Sequence, residues 1–276
     1  MKRYRILKFY LDATRGIFRN YSNPGVAMAV AKKEMEGSLK ADYGEFNFDE
    51  KFRRYMELEK PVLSIVEEHS QLLEDICNSY VSGYFYSALT GACCLGERIF
   101  NSVIFKVMDD FKSSPWYKKI YNKRSIIDWE LAIQILTDWQ IVDEELCRKY
   151  LKLMRLRHES IHYQKKEQDA EKMSLEATNL VNFIILRLFG INERRKDILL
   201  YFDVPGEIFI RKDAEKISLV KVFYIPCGVL VGPRYEVDNN SASGKFTISD
   251  NHTYENKKIT DLEFVKLRNE YISKSS

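Results

Sequence analysis

Two histidines, a glutamate and two arginines crowd the stretch Arg155–Tyr163, R-L-R-H-E-S-I-H-Y, and their spacing supports two different chemistries. Read from His158, the pattern is H-E-x-x-H. On a helix it stacks His158 and His162 on one face and puts Glu159 where a zinc hydrolase keeps its general base. Read from Arg157, the same residues offer a metal-free route to RNA cleavage. RNA carries its own nucleophile, the 2′-hydroxyl. Cleavage needs one group to take that proton, one to protonate the leaving 5′-oxygen, and positive charge on the phosphate. Histidine can be acid or base near neutral pH. Arginine stays charged and grips phosphate oxygens through two N–H groups.

The zinc pattern is incomplete. A catalytic zinc needs a third protein ligand, usually a glutamate on the following helix or a histidine shortly after the second one. Position 168 is Gln168, and Leu180, Val181, Asn182 and Phe183 stand farther on. Glu167, Glu171 and Glu176 occur at other spacings. Arg155, Arg157, Lys165 and Lys166 flank the motif; they repel a divalent cation and favour protonated, non-ligating histidines. The ribonuclease parse is therefore preferred, and it calls for no metal and no cofactor.

From Arg148 to Lys166 the cations are Arg148, Lys149, Lys152, Arg155, Arg157, Lys165 and Lys166, against the single acid Glu159. Such a helix is a candidate phosphate-binding surface, with Lys152, Arg155, Tyr163, Lys165 and Lys166 as RNA contacts. It is equally a solvated face opposite an apolar side of Leu151, Met154 and Ile161. At about 100° per residue, Arg157 and His162 stand about 140° apart. They converge only through the arginine's reach or across a pair of helices, as in a two-fold dimer.

These residues resemble the signature of the HEPN superfamily: arginine, a polar residue, three further residues, then histidine. Here that is Arg157, His158, Glu159-Ser160-Ile161 and His162. The upstream SGYFYSALTGACCLGERIF is similar to the long helix of such bundles, and the likeness runs from about Leu58 to Phe189. The resemblance implies a metal-independent endoribonuclease acting as a homodimer with a composite site. Arg157 and His162 would be catalytic, and His158 would orient phosphate or the second histidine. It also implies a toxin–antitoxin or antiphage-defence setting, with an antitoxin or defence partner. One subgroup has a tyrosine two residues after the histidine; here Tyr163 follows immediately and Gln164 takes the second place. Noncatalytic members that bind RNA or protein are the alternative.

The elements that must position these residues form a mainly α chain: a HEPN-like helical bundle over 50–192, a strand and short helix over 1–49, and a β-containing region over 193–276 ending in a helix. YRILKFYLDATRGIF alternates like a strand, and SNPGV marks a turn before a helix-like run from Val26 to Lys40. Pro61 opens a helix carrying Val62, Ile65, His69, Leu72, Leu73 and Ile76 on one face. The next helix is expected from about Tyr80 to Phe111. The segment KSSPWYKKIYNKR is expected to be a loop. A short helix holds Trp129, Ile133 and Leu136, the motif helix spans about Asp143 to Lys166, and another runs from about Ala170 to Leu188, stopping at Gly190. DILLYFDVPGEIFIRKD suggests two strands around Pro-Gly, and SLVKVFYIPCGVLVG one or two more. Thr260 and Glu263 form a capping box for a terminal helix.

Glu97 lies near the apolar face of its helix and needs a partner if buried. It either holds Arg157 or a histidine in place, or makes an ordinary intrabundle salt bridge. Lys118 and Lys119 belong to a segment that interleaves Trp116, Tyr117 and Tyr121 with Lys123 and Arg124. That segment is either a platform for single-stranded RNA or a connection pinned by buried aromatics. His69 is expected to pack in the core and His252 to sit in a loop.

The net charge of +3 does not by itself demand a polyanion. The odd set Cys77, Cys93, Cys94, Cys147 and Cys227 lacks C-x-x-C spacing, which fits reduced thiols and a cytoplasmic location. The start MKRYRILKFYLD has no signal-peptide core. The uncharged run Ile76–Gly96 is broken by polar residues and glycines, and is expected to be one buried helix and not a membrane span. No phosphate-binding glycine motif occurs.

Overall fold

A computed structural model describes residues 3–6, 26–59, 63–161, 167–192, 195–201, 208–231, 235–240, 245–250 and 259–275. The chain divides into two compact units. One is Tyr10–Gly190; the other joins Met1–Phe9 to Ile191–Ser276. Most described residues are helical.

The first unit begins with α1 (Val26–Tyr43) packed on α2 (Phe48–Glu57). Two separate helices follow, α3 (Glu67–Val81) and α4 (Phe85–Val107). The uncharged run Ile76–Gly96 is therefore not one helix, and the helix expected from Tyr80 to Phe111 begins later. The reason is Gly83. Its φ of 88° is left-handed, its N–H is bonded to the Tyr80 carbonyl at 3.0 Å, and the chain turns there at little steric cost. A β-carbon at Gly83 would lie 3.1 Å from the Arg54 guanidinium.

Beyond the turn, Leu89, Cys93, Phe100, Val103, Ile104 and Val107 are buried on α4, as a 3.6-residue period requires. The helix packs against α3, α6 (Trp129–Asp138), α7 (Glu144–Ile161) and α8 (Glu167–Phe189). It lies tight against α7 at Gly96, where a β-carbon would lie 2.5 Å from Leu153 Cδ2 and 3.3 Å from Trp129 Cη2. KSSPWYKKIYNKR is not loop throughout, because it contains the short helix α5 (Pro115–Ile120). Pro115 supplies a first-turn φ, and the Ser114 hydroxyl accepts from the Trp116 N–H at 3.2 Å.

The bundle is tied at its edge by polar contacts. Glu171 of α8 accepts from Arg54 Nε at 3.0 Å and also from Arg53, and the Tyr80 hydroxyl donates to Glu57 at 2.7 Å. Burial alone would raise the Glu171 pKa; the hydrogen bonds from Arg53 and Arg54 outweigh it and hold the carboxyl below its usual range. Pro61, Val62 and the Pro-Gly turn of DILLYFDVPGEIFIRKD lie outside the described residues; residues 63–66 are not helical, so the helix expected to open at Pro61 begins only at Glu67.

In the second unit, β1 (Arg3–Ile6) lies between two C-terminal strands of an antiparallel sheet ordered β2-β3-β1-β4. Tyr4 pairs with Ile210 of β3 (Ile208–Ile210) and Arg3 with Val231 of β4 (Gly228–Val231). β2 (Leu199–Tyr201) pairs with β3, matching the two strands expected there. The next run yields only one strand. Val220–Tyr224 forms a π-helical turn and Ile225–Cys227 a 3₁₀ turn before β4 begins. Leu219, Val220, Phe223 and Tyr224 are buried, and that spacing marks a helical face, not strand alternation.

β5 (Tyr235–Asn240) and β6 (Lys245–Asp250) form a hairpin that sequence reading did not anticipate. The final helix α9 (Asp261–Ser275) opens on the expected capping box. The Glu263 carboxylate accepts from the Thr260 N–H at 2.6 Å, and the Glu263 N–H donates to the Thr260 hydroxyl at 3.2 Å. Phe264 of α9 meets Phe209 edge-on, with centroids 5.4 Å apart.

Candidate active site

The apolar side of α7 contains Leu146, Tyr150 and Leu153, all buried. At the same spacing the next position inward is Arg157. The sequence thus sets a guanidinium where the helical period calls for a core residue, and a charge there needs a counter-charge. Glu97 provides it from α4. Arg157 Nη2 lies 3.5 Å from Glu97 Oε2, with side-chain exposures of 29% and 28%. The guanidinium carbon also stands 5.8 Å from the centre of the Trp129 ring, within reach of a cation–π attraction. The Trp129 indole N–H donates to the same Glu97 oxygen at 3.0 Å.

Trp129 is seated in turn. Its ring meets Phe100 edge-on at 5.1 Å, and Asp128 caps α6 by accepting from the Leu131 N–H at 3.0 Å. One turn along α4 from Glu97, the Asn101 side chain bonds both backbone groups of Ile126, at 2.7 and 3.1 Å. Arg157 is therefore oriented by side chains of two neighbouring helices, α4 and α6, while part of its surface stays open to solvent. Its position against α4 also registers on Cys93. Burial pushes that thiol up to about 12, the neighbouring Cys94 adds to the rise, and Arg157 pulls the other way. Cys93 is consequently an inert, protonated thiol near neutral pH.

The other expected site residues fall differently. His158 is exposed in the last turn of α7 and makes no hydrogen bond or ion pair with Arg157 or Glu97 among the described residues. Within the motif, the Ser160 hydroxyl donates to the Arg157 carbonyl at 2.7 Å. His162, Tyr163, Lys165 and Lys166 lie outside the described residues, as does His252. Among the described residues no group of three or more His, Cys, Asp or Glu side chains could hold a metal ion; the second histidine of H-E-x-x-H is not among them.

Several cations of the motif helix are engaged within the bundle. Arg148 pairs with Glu144 at 3.2 Å, Lys152 pairs with Glu176 of α8, and Lys149 lies 5.0 Å from the Phe183 ring centre. Arg155 is exposed.

No protein-family model, no curated protein and no solved structure matches this chain. A groove of about 380 Å³ between α3 and α4 is lined by Leu72, Ile76, Gly91, Cys94 and Leu95, with Arg98 at its edge. Arg98 is paired with Glu68, and none of the residues around Arg157 lines the groove. This groove and the Arg157 cluster are thus lined by different residues.

Sequence reading missed two contributors, Trp129 as a partner of the Arg157–Glu97 pair and Asn101 as the clamp on Ile126. The signal for Trp129 was its indole N–H, which must find an acceptor when buried. His69 is buried as expected. Its ring lies 5.1 Å from that of Phe189, and its pKa is lowered to about 4 by burial, then by Arg98 and Lys106. Among the described residues no helix is long and apolar enough to cross a membrane.

Proposed function

We propose that the chain is a metal-independent endoribonuclease of HEPN type, working as a homodimer. One observation carries the reading: Arg157 is fixed by Glu97 over Trp129 near the C-terminal end of α7 and still keeps 29% of its side chain exposed. A guanidinium oriented before substrate arrives can stabilise charge on a reacting phosphate without reorganising.

In the reaction the 2′-hydroxyl attacks its own phosphorus, the 2′-O–P bond forms and the P–O5′ bond breaks. The products are a 2′,3′-cyclic phosphate and a 5′-hydroxyl. His162 exchanges a proton with one of these oxygens, and a second histidine, His158 or the partner copy's His162, serves the other. Arg157 neutralises the phosphate. The exposure of His158, away from Arg157 of its own chain, supports a site completed by a second copy. The family's toxin or antiphage-defence setting, with an antitoxin partner, is the biological context proposed.

The test is incubation of the purified full-length chain with mixed RNAs in EDTA. Cleavage leaving 2′,3′-cyclic phosphate ends is expected. His162→Ala should lower the rate by about 10²–10⁴-fold, and Arg157→Ala should also be severely impaired. Wild-type cleavage no faster than His162→Ala refutes the proposal. Loss in EDTA with rescue by zinc would restore the H-E-x-x-H reading. Retention of RNA without turnover would leave a noncatalytic RNA-binding module.

A further inference from the structure

While Arg148, Lys152 and Arg157 of α7 each have a carboxylate partner, the basic segment 112–124 is arranged differently. It contains five cations and no acid. Lys112 pairs with Asp109 at 3.4 Å and Lys119 lies 4.5 Å from the Trp116 ring centre. Lys118, Lys123 and Arg124 are exposed, with no carboxylate partner among the described residues.

The rings of the same segment divide into a mount and a face. Trp116 is part of the mount, its indole N–H donating to Asp138 at 2.6 Å. Ile120 is fully buried, and the Trp139 indole N–H donates to Ser114 at 3.0 Å. Outward stands Tyr121, 52% exposed, its ring stacked on Tyr117 with centroids 5.8 Å apart and planes 19° from parallel. The exit of the segment is fixed by the Asn101 clamp on Ile126.

We infer that this face is a binding platform for a single nucleic-acid strand. A base continues the Tyr117–Tyr121 stack, and Lys118, Lys123 and Arg124 neutralise the flanking phosphates. A duplex covers its base faces by its own stacking and leaves Tyr121 no partner, whereas a single strand exposes them. Arg124 stands five positions before Trp129, at most about 18 Å of chain, and the Trp129 ring lies beside Arg157. The platform therefore supplies the substrate grip for the active site; its occupant being RNA rests on the endoribonuclease reading.

Fluorescence anisotropy with a short fluorescein-labelled, uridine-rich RNA strand tests this on the full-length chain carrying His162→Ala, which prevents turnover. Tyr121→Ala should weaken binding by about fivefold to a hundredfold, the range for loss of one base stack, and Tyr121→Phe should restore it. Replacing Lys118, Lys123 and Arg124 together by glutamine should reduce the slope of log affinity against log salt by about two. Unlabelled duplex RNA should compete poorly. Unchanged affinity and salt slope in both variants, or equal competition by duplex, overturns the platform.

The same substitutions in the chain with His162 intact separate the two ideas. A strand retained but never cut leaves the platform standing and removes the nuclease. Cleavage and binding like those of the parent in both variants remove the platform and leave the nuclease.

Discussion

Glu97 has two jobs at one oxygen, and two substitutions pull them apart. The buried Trp129 N–H is bonded to that carboxylate at 3.0 Å, and Arg157 sits 3.5 Å from it. A hydrogen bond to a charged group contributes about 1.5–3 kcal/mol net. Glu97→Ala deletes it and leaves the indole N–H without an acceptor, so a loss of about 2–3 kcal/mol is expected. Glu97→Gln keeps a carbonyl oxygen for Trp129 and loses only a part-exposed ion pair, about 1 kcal/mol or less. Both variants remove the charge that orients Arg157, and displacement of a reacting group by about an ångström can cost about 10² in rate. Stability should diverge while cleavage falls in both. Urea unfolding followed by tryptophan fluorescence reads the first, and a quenched RNA substrate the second. If Glu97→Gln unfolds as early as Glu97→Ala, the Trp129 bond is not what Glu97 contributes. If Glu97→Gln cleaves at the parental rate, Arg157 is not positioned by this carboxylate.

Two stability predictions follow from other positions. Gly37→Ala on α1 meets nothing within 4 Å and should gain up to about 1 kcal/mol of helix propensity. Gly96→Ala drives a β-carbon into Leu153, itself fully buried, and overpacking of about 1–3 kcal/mol should outweigh that gain; thermal melts of opposite sign check the pair. His69, held near 4 against an ordinary 6.5, is neutral in the fold but protonates once unfolded. Its contribution is complete above pH 6.5 and lost as pH falls toward 4, by up to about 3 kcal/mol. Urea midpoints of wild type and His69→Phe should converge in shape above pH 6.5 and separate below it; parallel profiles across that window would contradict the burial argument.

Much of the helical organisation was legible because amphipathic period and capping are local. The Thr260–Glu263 box announces α9 to the residue. Helix α7 stands where it is expected, but its buried side includes Leu146, Tyr150, Leu153 and Met154, and of these only Met154 belongs to the apolar side expected from sequence. Errors arose where a single backbone torsion or long-range packing decided. The run Ile76–Gly96 is helical in propensity on both sides of Gly83, and only the left-handed φ there splits it. Leu219, Val220, Phe223 and Tyr224 are residue types suited to strands, yet their buried spacing is helical. Placing β1 between β3 and β4 is a pairing across most of the chain, which no local pattern encodes. At the site, Glu97 could be seen near an apolar face, whereas Arg157 counts in the sequence among the cations of a basic helix. That they meet, and share the Trp129 indole, depends on how α4, α6 and α7 cross.

The charge run on α7 teaches a separate physical point. Counted along the chain, seven cations face one acid between Arg148 and Lys166, which reads as a phosphate-binding helix. Counted across the packing, Glu97 and Glu176 arrive from α4 and α8 and engage Arg157 and Lys152. A fixed intramolecular carboxylate competes with phosphate for the same guanidinium or ammonium, so a linear count overstates the free positive field. Segment 112–124 reverses the case. Its Lys118, Lys123 and Arg124 stand exposed beside stacked rings, on or just after a short helix anchored through Ile120, Trp116 and Ser114. Positioning chemistry favours a cation held by neighbours, whereas gripping a polymer favours cations left to its phosphates. The same residue types thus suit opposite roles on two faces of one bundle, and the deciding variable is the partner each cation finds after folding.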